Sequence, residues 1–279
     1  MILLKKEQFY MLQPVVLADG QIAEGSEGKL FVFDKSIFGD SNPSLPVAIK
    51  IFNYWNEFDL KECIAHKKKK LSYLLDLNKS DNVTFPIDLV YIDNVLAGYS
   101  MHYIINCHNI RDEIVNNQLD NFYNLSHIVN VIKTLQRAIR YDLHHQDVYA
   151  QDIMSLTNIV LKEAIPYIVD VDSFEIGKLV SSNQKKEGMK KDNILEIIAI
   201  FGFLITKRYV HISRVERLFE KKRLNSFEKF FLNYLNNFSY HNDFEYLNED
   251  ILDELSNCYY MTPSNSSSIY DSKFLLKRR

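Results

Sequence analysis

The chain has 279 residues, 47% hydrophobic and 25% charged, and its 33 Lys and Arg against 36 Asp and Glu leave a net charge of −3. That is enough apolar material for one large domain or two fused lobes, and it argues against a nucleic-acid binder that works by bulk positive charge. Cys63, Cys107 and Cys258 are too few and too scattered for a disulfide framework or a CxxC zinc site, and the longest strongly apolar run, residues 197–205, is too short to span a bilayer.

The first residues, MILLKKEQFY, place charge after a short apolar patch, the wrong order for a signal peptide. With the thiol count, this predicts a soluble protein of a reducing, cytoplasmic compartment. Lys, Asn, Ile, Tyr and Phe are abundant and share AT-rich codons, which suits a low-GC microbial source. Residues 13–17, 29–33 and 47–52 are short, β-branched and aromatic, with Gly, Asp, Asn and Pro between them, and read as strands. A helix is predicted over residues 59–77. A strand pair follows over 82–90 and 95–105, joined at Asp93-Asn94. Ile128, Ile132, Leu135, Ile139 and Leu143 then fall at the spacing of a long amphipathic helix. An irregular, Asp-rich stretch is expected from 145 to 177, two or three helices over 192–259, and a mobile Ser-rich tail over 261–279. Segregated strands and helices predict an α+β fold in two lobes, residues 1–105 and 106–260, with a ligand cleft between them.

Four pieces of sequence carry chemistry. Gly25 and Gly28 lie three apart between strands and permit a tight turn whose amides can approach a phosphate. Lys50 ends the apolar run Val47-Ala48-Ile49 and follows Gly28 by 22 residues, so its ammonium can lie beneath that turn. Asp152 and Asn158 lie on the loop after the long helix. Asp170 follows the apolar run Tyr167-Ile168-Val169, at a rigid strand end. Asn158 and Asp170 offer hard oxygen ligands suited to Mg²⁺, which takes few protein ligands besides phosphates and water. Asp172 either adds an acid to that metal site or caps the turn before Ser173. His144 and His145 look like a metal pair, but neighbours on a helix point about 100° apart, so His144 reads better as a lock on the helix end. The lysine run 67–70 reads as a solvated helix face.

Over most of residues 13–210 these pieces resemble the protein-kinase superfamily. AEGSEG looks like its Gly-rich loop with Ala23 in place of the first glycine, and VAIK is identical to the strand carrying the ATP-binding lysine. IVDVDSF looks like the metal-binding DFG segment. DVDSFEIG, together with FPIDLVYIDNVLAGYSM, is most similar to bacterial Ser/Thr-kinase-like proteins. The resemblance implies a bilobal kinase-like fold with a β-rich N-terminal lobe holding one helix and a reduced, mostly helical C-terminal lobe. It also implies ATP and Mg²⁺ as cofactors. Asp152 and Lys50 would be catalytic, and Asn158 and Asp170 would hold the metal. Gly25, Ser26, Gly28, Leu30, Ala48, Lys50, Met101, His102, Ile104 and Val160 would enclose the nucleotide, with Met101 as gatekeeper of a hinge starting there. Glu62 is the candidate ion-pair partner of Lys50, although hydrophobic register brings Lys70 or Leu71 to that place. Asp192 resembles the aspartate that opens the next long helix and braces the catalytic loop.

The chain also departs from the family. Ala150 and Gln151 replace His and Arg before the catalytic aspartate, Met154 replaces the lysine after it, and Asn158 lies one residue further on than in the family. Asp172 stands in place of the DFG glycine, and only 22 residues separate Asp170 from Asp192, with no APE-like segment between them. The expected activity is transfer of the γ-phosphate of ATP to Ser or Thr of a protein. A kinase of a small hydroxyl compound and a nucleotide-binding pseudokinase acting as a scaffold through a partner are the alternatives. Delivery of the protein into another cell stays open.

Overall fold

The computed structural model describes residues 1–16, 22–25, 27–33, 47–55, 61–110, 125–151, 158–180 and 182–206. Expectations for Ser26, Asp152, the helices beyond residue 206 and the Ser-rich tail fall outside those residues.

Six strands form one sheet in the order β1-β5-β6-β4-β3-β2: β1 (Ile2–Leu4), β2 (Gln13–Pro14), β3 (Gly28–Phe33), β4 (Val47–Phe52), β5 (Pro86–Ile92) and β6 (Val95–His102). All pairs are antiparallel except β1 on β5. The sequence reading missed β1, because three apolar residues before a lysine pair carry no strand period of their own; pairing with β5 supplies the hydrogen bonds. The β5–β6 turn forms at Asp93-Asn94 as expected, both with positive φ, which suits the right-handed twist of a two-residue hairpin. β6 ends at His102, short of the expected residue 105.

β4 lies between β3 and β6, and every one of its six side chains is buried. Val47, Ile49 and Ile51 face one side, joined by Phe31, Phe33, Val90 and Ile92. The helix α1 (Lys6–Tyr10) covers that side, its Phe9 edge-on to Phe31 and Trp55. Ala48 and Phe52 face the other side with Tyr99 and Met101, packed against Leu71 and Leu74 of α2 (Lys61–Leu75). By the two-residue period of a strand, Lys50 belongs to this second side.

After β7 (His108–Asn109), α3 (Leu125–Arg137) buries Ile128, Val131, Ile132 and Leu135. The predicted helix continues past Arg137 as a π-helical turn, Ala138–Leu143, which keeps Ile139 and Leu143 in the core, and then as a 3₁₀ turn to Gln146. The stretch expected to be irregular is built of short strands: β8 (Val148–Tyr149) pairs with β11 (Glu175–Ile176), and β9 (Ile159–Lys162) forms a hairpin with β10 (Ile165–Ile168). Its turn is again a pair of positive-φ residues, Glu163 and Ala164, without glycine, so sequence alone gave no turn signal. The last helix among the described residues, α4 (Asn183–Thr206), begins well before Asp192 and packs Ile194, Ile197, Ile200 and Leu204 into the same core as α3.

Candidate functional site: a buried lysine between two aspartates

β4 carries Lys50 into the interior, where its side chain is 7% exposed. The ammonium pairs with the carboxylates of both Asp170 and Asp172, the latter at 2.7 Å. Burial pushes its pKa down, but the two carboxylates outweigh that and hold it charged, above the usual lysine value.

Both acids lie just after β10. Asp170 adopts the left-handed conformation, φ 62° and ψ 43°, and its carbonyl accepts hydrogen bonds from the Ser173 backbone and hydroxyl. Aspartate tolerates this conformation better than most side chains, and the turn it makes drops residues 171–173 into a 3₁₀ turn that carries Asp172 inward. The side chain of Asp170 is 35% exposed and that of Asp172 is 0% exposed. Burial raises the pKa of Asp170, and the neighbouring Asp172 carboxylate adds to the rise against the pull of Lys50. Asp172 is held well below the usual carboxylate range: burial alone would raise it, and the charges of Lys50 and Lys67 override that.

Lys67 and Lys70 correct the expectation of a solvated lysine face. Lys68 and Lys69 are exposed, but Lys67 and Lys70 are buried on the inner side of α2. The Lys67 ammonium donates to Asp172 Oδ2 at 2.9 Å and to Glu27 Oε2 at 2.5 Å, tying α2 to the glycine-bearing segment. Lys70 donates to the Asp172 carbonyl at 3.0 Å. Burial and the repulsion of Lys67 lower the Lys70 pKa. Tyr99 of β6 donates its hydroxyl to Asp172 Oδ1 at 2.8 Å. Glu62, the candidate partner of Lys50, is exposed on the first turn of α2, and the carboxylates on Lys50 come from residues 170 and 172 instead.

The glycine-bearing segment lies against this cluster. Gly25 donates its N–H to the Gly28 carbonyl at 2.8 Å, and its carbonyl accepts from the Asn53 amide at 3.1 Å. Gly28 is fixed by a close approach to β4, since a Cβ there would lie 2.6 Å from the Ile51 carbonyl oxygen and 3.3 Å from Lys50 Cε. Leu30 pairs with Lys50 across β3 and β4, Ala48 with Met101 across β4 and β6, and Val47 with His102. Ile104 follows β6, half-buried, and Val160 of β9 is half-buried opposite Tyr167. The Asn158 carbonyl accepts the Val169 N–H at 2.9 Å, which sets Asn158 beside the strand end that bears Asp170. Ser26 and Asp152 lie outside the described residues.

Among the described residues no group of three or more His, Cys, Asp or Glu side chains forms a metal cage. Asp170 with Asn158 suits a cation that keeps water and phosphate oxygens as its other ligands. Asp172 does not suit one: Lys50, Tyr99 and Lys67 already fill its oxygens, and no solvent reaches it.

Asn193 was missed by sequence reading. It is buried on α4, accepts the Ala150 N–H at 3.2 Å, donates to the Ala150 carbonyl at 2.9 Å, and meets His144 Nε2 at 3.1 Å. Asp192, expected to brace this loop, is exposed. The bracing residue is one position further along, and the amide serves both backbone groups where a carboxylate could serve only the donor.

No family model matches the chain, and no curated protein does. Among solved structures, the apo form of the GRMZM2G135359 pseudokinase superposes with a TM-score of 0.53 at 12% identity, covering 94% of this chain and 98% of that one. The chain therefore has the bilobal α+β fold of the kinase-like proteins.

Proposed function

We propose that the chain is an ATP- and Mg²⁺-dependent phosphotransferase acting on Ser or Thr hydroxyls of a protein. The observation that carries this reading is the buried Lys50–Asp170 ion pair beneath the Gly25 and Gly28 segment, within a kinase-like fold. A lysine ammonium below a glycine-bearing turn suits phosphate oxygens, and the part-exposed Asp170 carboxylate suits a divalent cation.

In this reading residues 1–105 form the lobe that covers the nucleotide and residues 106–260 the lobe that brings the acceptor. Ala48 and Val160 would enclose adenine, with Met101 and the backbone of His102 and Ile104 at its edge, and Leu30 and residues 25–28 would cover ribose and phosphates. Lys50 holds the α- and β-phosphates. Asp170 and Asn158 would hold Mg²⁺, which when bound would neutralise charge on the phosphoryl oxygens. Asp152 orients the acceptor hydroxyl and receives its proton as the new O–P bond forms and the bond from the γ-phosphorus to the departing ADP oxygen breaks. The protein supplies positioning and electrostatic stabilisation. A cytoplasmic, bacterial-like setting goes with this reading.

A second reading, nucleotide binding without transfer, is favoured by α2, which presents lysines to the cluster and no carboxylate to Lys50. The similar solved structure is itself of a pseudokinase. Transfer of labelled γ-phosphate from Mg·ATP to a generic basic protein separates the two. The phosphotransferase reading expects label on Ser or Thr, with turnover lowered roughly 100-fold or more by Asp170→Ala and by Lys50→Met. Full activity in either variant would contradict the site. ADP release with small hydroxyl compounds and none with protein would move the acceptor to a metabolite. ATP binding without any transfer would establish the second reading.

A further inference from the structure

Asp172 receives donors from three separate elements. Its Oδ1 accepts from Lys50 of β4 at 2.7 Å and from Tyr99 of β6 at 2.8 Å, and its Oδ2 accepts from Lys67 of α2 at 2.9 Å. Its carbonyl takes Lys70 at 3.0 Å and Lys67 at 3.3 Å. A carboxylate has about four acceptor positions, and with three filled by fixed donors the plane of this one is set. Asp170 differs in one respect that matters: its side chain is 35% exposed, so it can exchange Lys50 for a cation arriving from solvent.

From this division we propose that Asp172 is the positioning residue of Lys50. It keeps the ammonium aimed at the nucleotide phosphates after Asp170 turns to Mg²⁺, and Lys67 fastens α2 to the same carboxylate. The assignment of phosphates as the target rests on the phosphotransferase reading above. An ammonium has three donors: one stays on Asp172, and those released by Asp170 become available to phosphate oxygens. The pairing expected between a helix acid and Lys50 is reversed here. The carboxylate comes from the turn after β10 and the helix contributes the cation, so the inward position of α2 depends on Lys67 and not on a helix acid.

Acylation of lysines by an amine reagent, with each site read by peptide mass, tests the pairing without any nucleotide. In the wild type Lys50 is expected to be protected. In Asp172→Asn its labelling is expected to rise about tenfold, the scale of losing one hydrogen bond to a charged partner, while in Asp170→Asn it stays protected. Lys50 released by Asp170→Asn, or still protected in a folded Asp172→Asn, would overturn the proposal. Because Asp170 is part-exposed, Asp170→Asn decides the matter even where Asp172→Asn fails to fold. Calorimetry with Mg·ATP then addresses the target. Asp172→Asn is expected to weaken binding about tenfold. Unchanged Mg·ATP binding in a folded Asp172→Asn would overturn the positioning role. Protection that follows Asp172 in a wild type that binds no Mg·ATP would support the pairing and refute the phosphotransferase reading instead.

Discussion

His144 is buried on the 3₁₀ turn before β8, its Nε2 against Asn193 of α4 and its ring against Tyr149, with Lys190, Glu187 and His145 acting on it electrostatically. Burial lowers its pKa from 6.5 to about 4, the hydrogen bond with Asn193 opposing only part of that. A histidine held below its unfolded pKa favours the folded state fully above about pH 6.5, and that contribution is lost as pH falls toward 4, on the order of 3 kcal/mol in all. Urea unfolding from pH 7 down to pH 4.5 should therefore show a steeper loss of stability in the wild type than in His144→Gln. Equal slopes would contradict the assignment. The lysines at 67 and 70 show what sequence reading could and could not reach. Together with Leu71 and Leu74 they fall at helical spacing on one face, so their burial was legible in principle from position. The decision, however, depended on a carboxylate more than a hundred residues away. Four consecutive lysines are solvated unless an acid is buried beneath two of them, and nothing local announces Asp172 as that acid.

The elements that hold the site are fixed by close backbone approaches. Gly98 of β6 lies against β4 so tightly that a Cβ would come 1.8 Å from the Lys50 carbonyl oxygen, a clash that only movement of the strand can relieve. Gly98→Ala is expected to cost about 3 kcal/mol or more in urea unfolding. Because the displaced strand is the one carrying Lys50, nucleotide affinity should fall with it. A variant within about 0.5 kcal/mol of the wild type would show that the strand yields easily. β3, β4, β6 and α3 were legible from their runs or periods of apolar residues, and α2 from Ile64, Leu71, Leu74 and Leu75, although Lys67 and Lys70 interrupt its inner face. β1, the β9–β10 turn and the π-helical turn were not, since they rest on pairing with distant segments or on turns made without glycine. The bracing residue was off by one position for a related reason. An aspartate at 192 fits the sequence pattern, but only the three-dimensional phase of α4 decides that Asn193 points at Ala150.

At the scale of the whole molecule, the resemblance of the glycine-bearing turn, the VAIK strand and the IVDVDSF segment to the kinase superfamily implied the kinase-like fold that the chain has. The acceptor or partner that the proposed function calls for has no such local signature, since it would be recognised by surface shape that no short motif encodes. Among the described residues no helix is long and apolar enough to cross a membrane. The cluster at Lys50 joins β4, β6, α2 and the turn after β10, and the hydrogen bonds of Asn193 join α4 to the loop that leads to Asp152. A nucleotide held at Lys50 and Asp170 would thus touch both halves of the fold, and its binding should raise the melting temperature of the chain as one unit. The most direct measurement is calorimetric titration of Mg·ATP into the wild type and into Asp170→Ala. The account predicts saturable binding to the wild type that needs Mg²⁺ and weakens about tenfold or more in the variant. Binding that ignores both Mg²⁺ and the loss of Asp170, or no binding to the wild type at all, would contradict it.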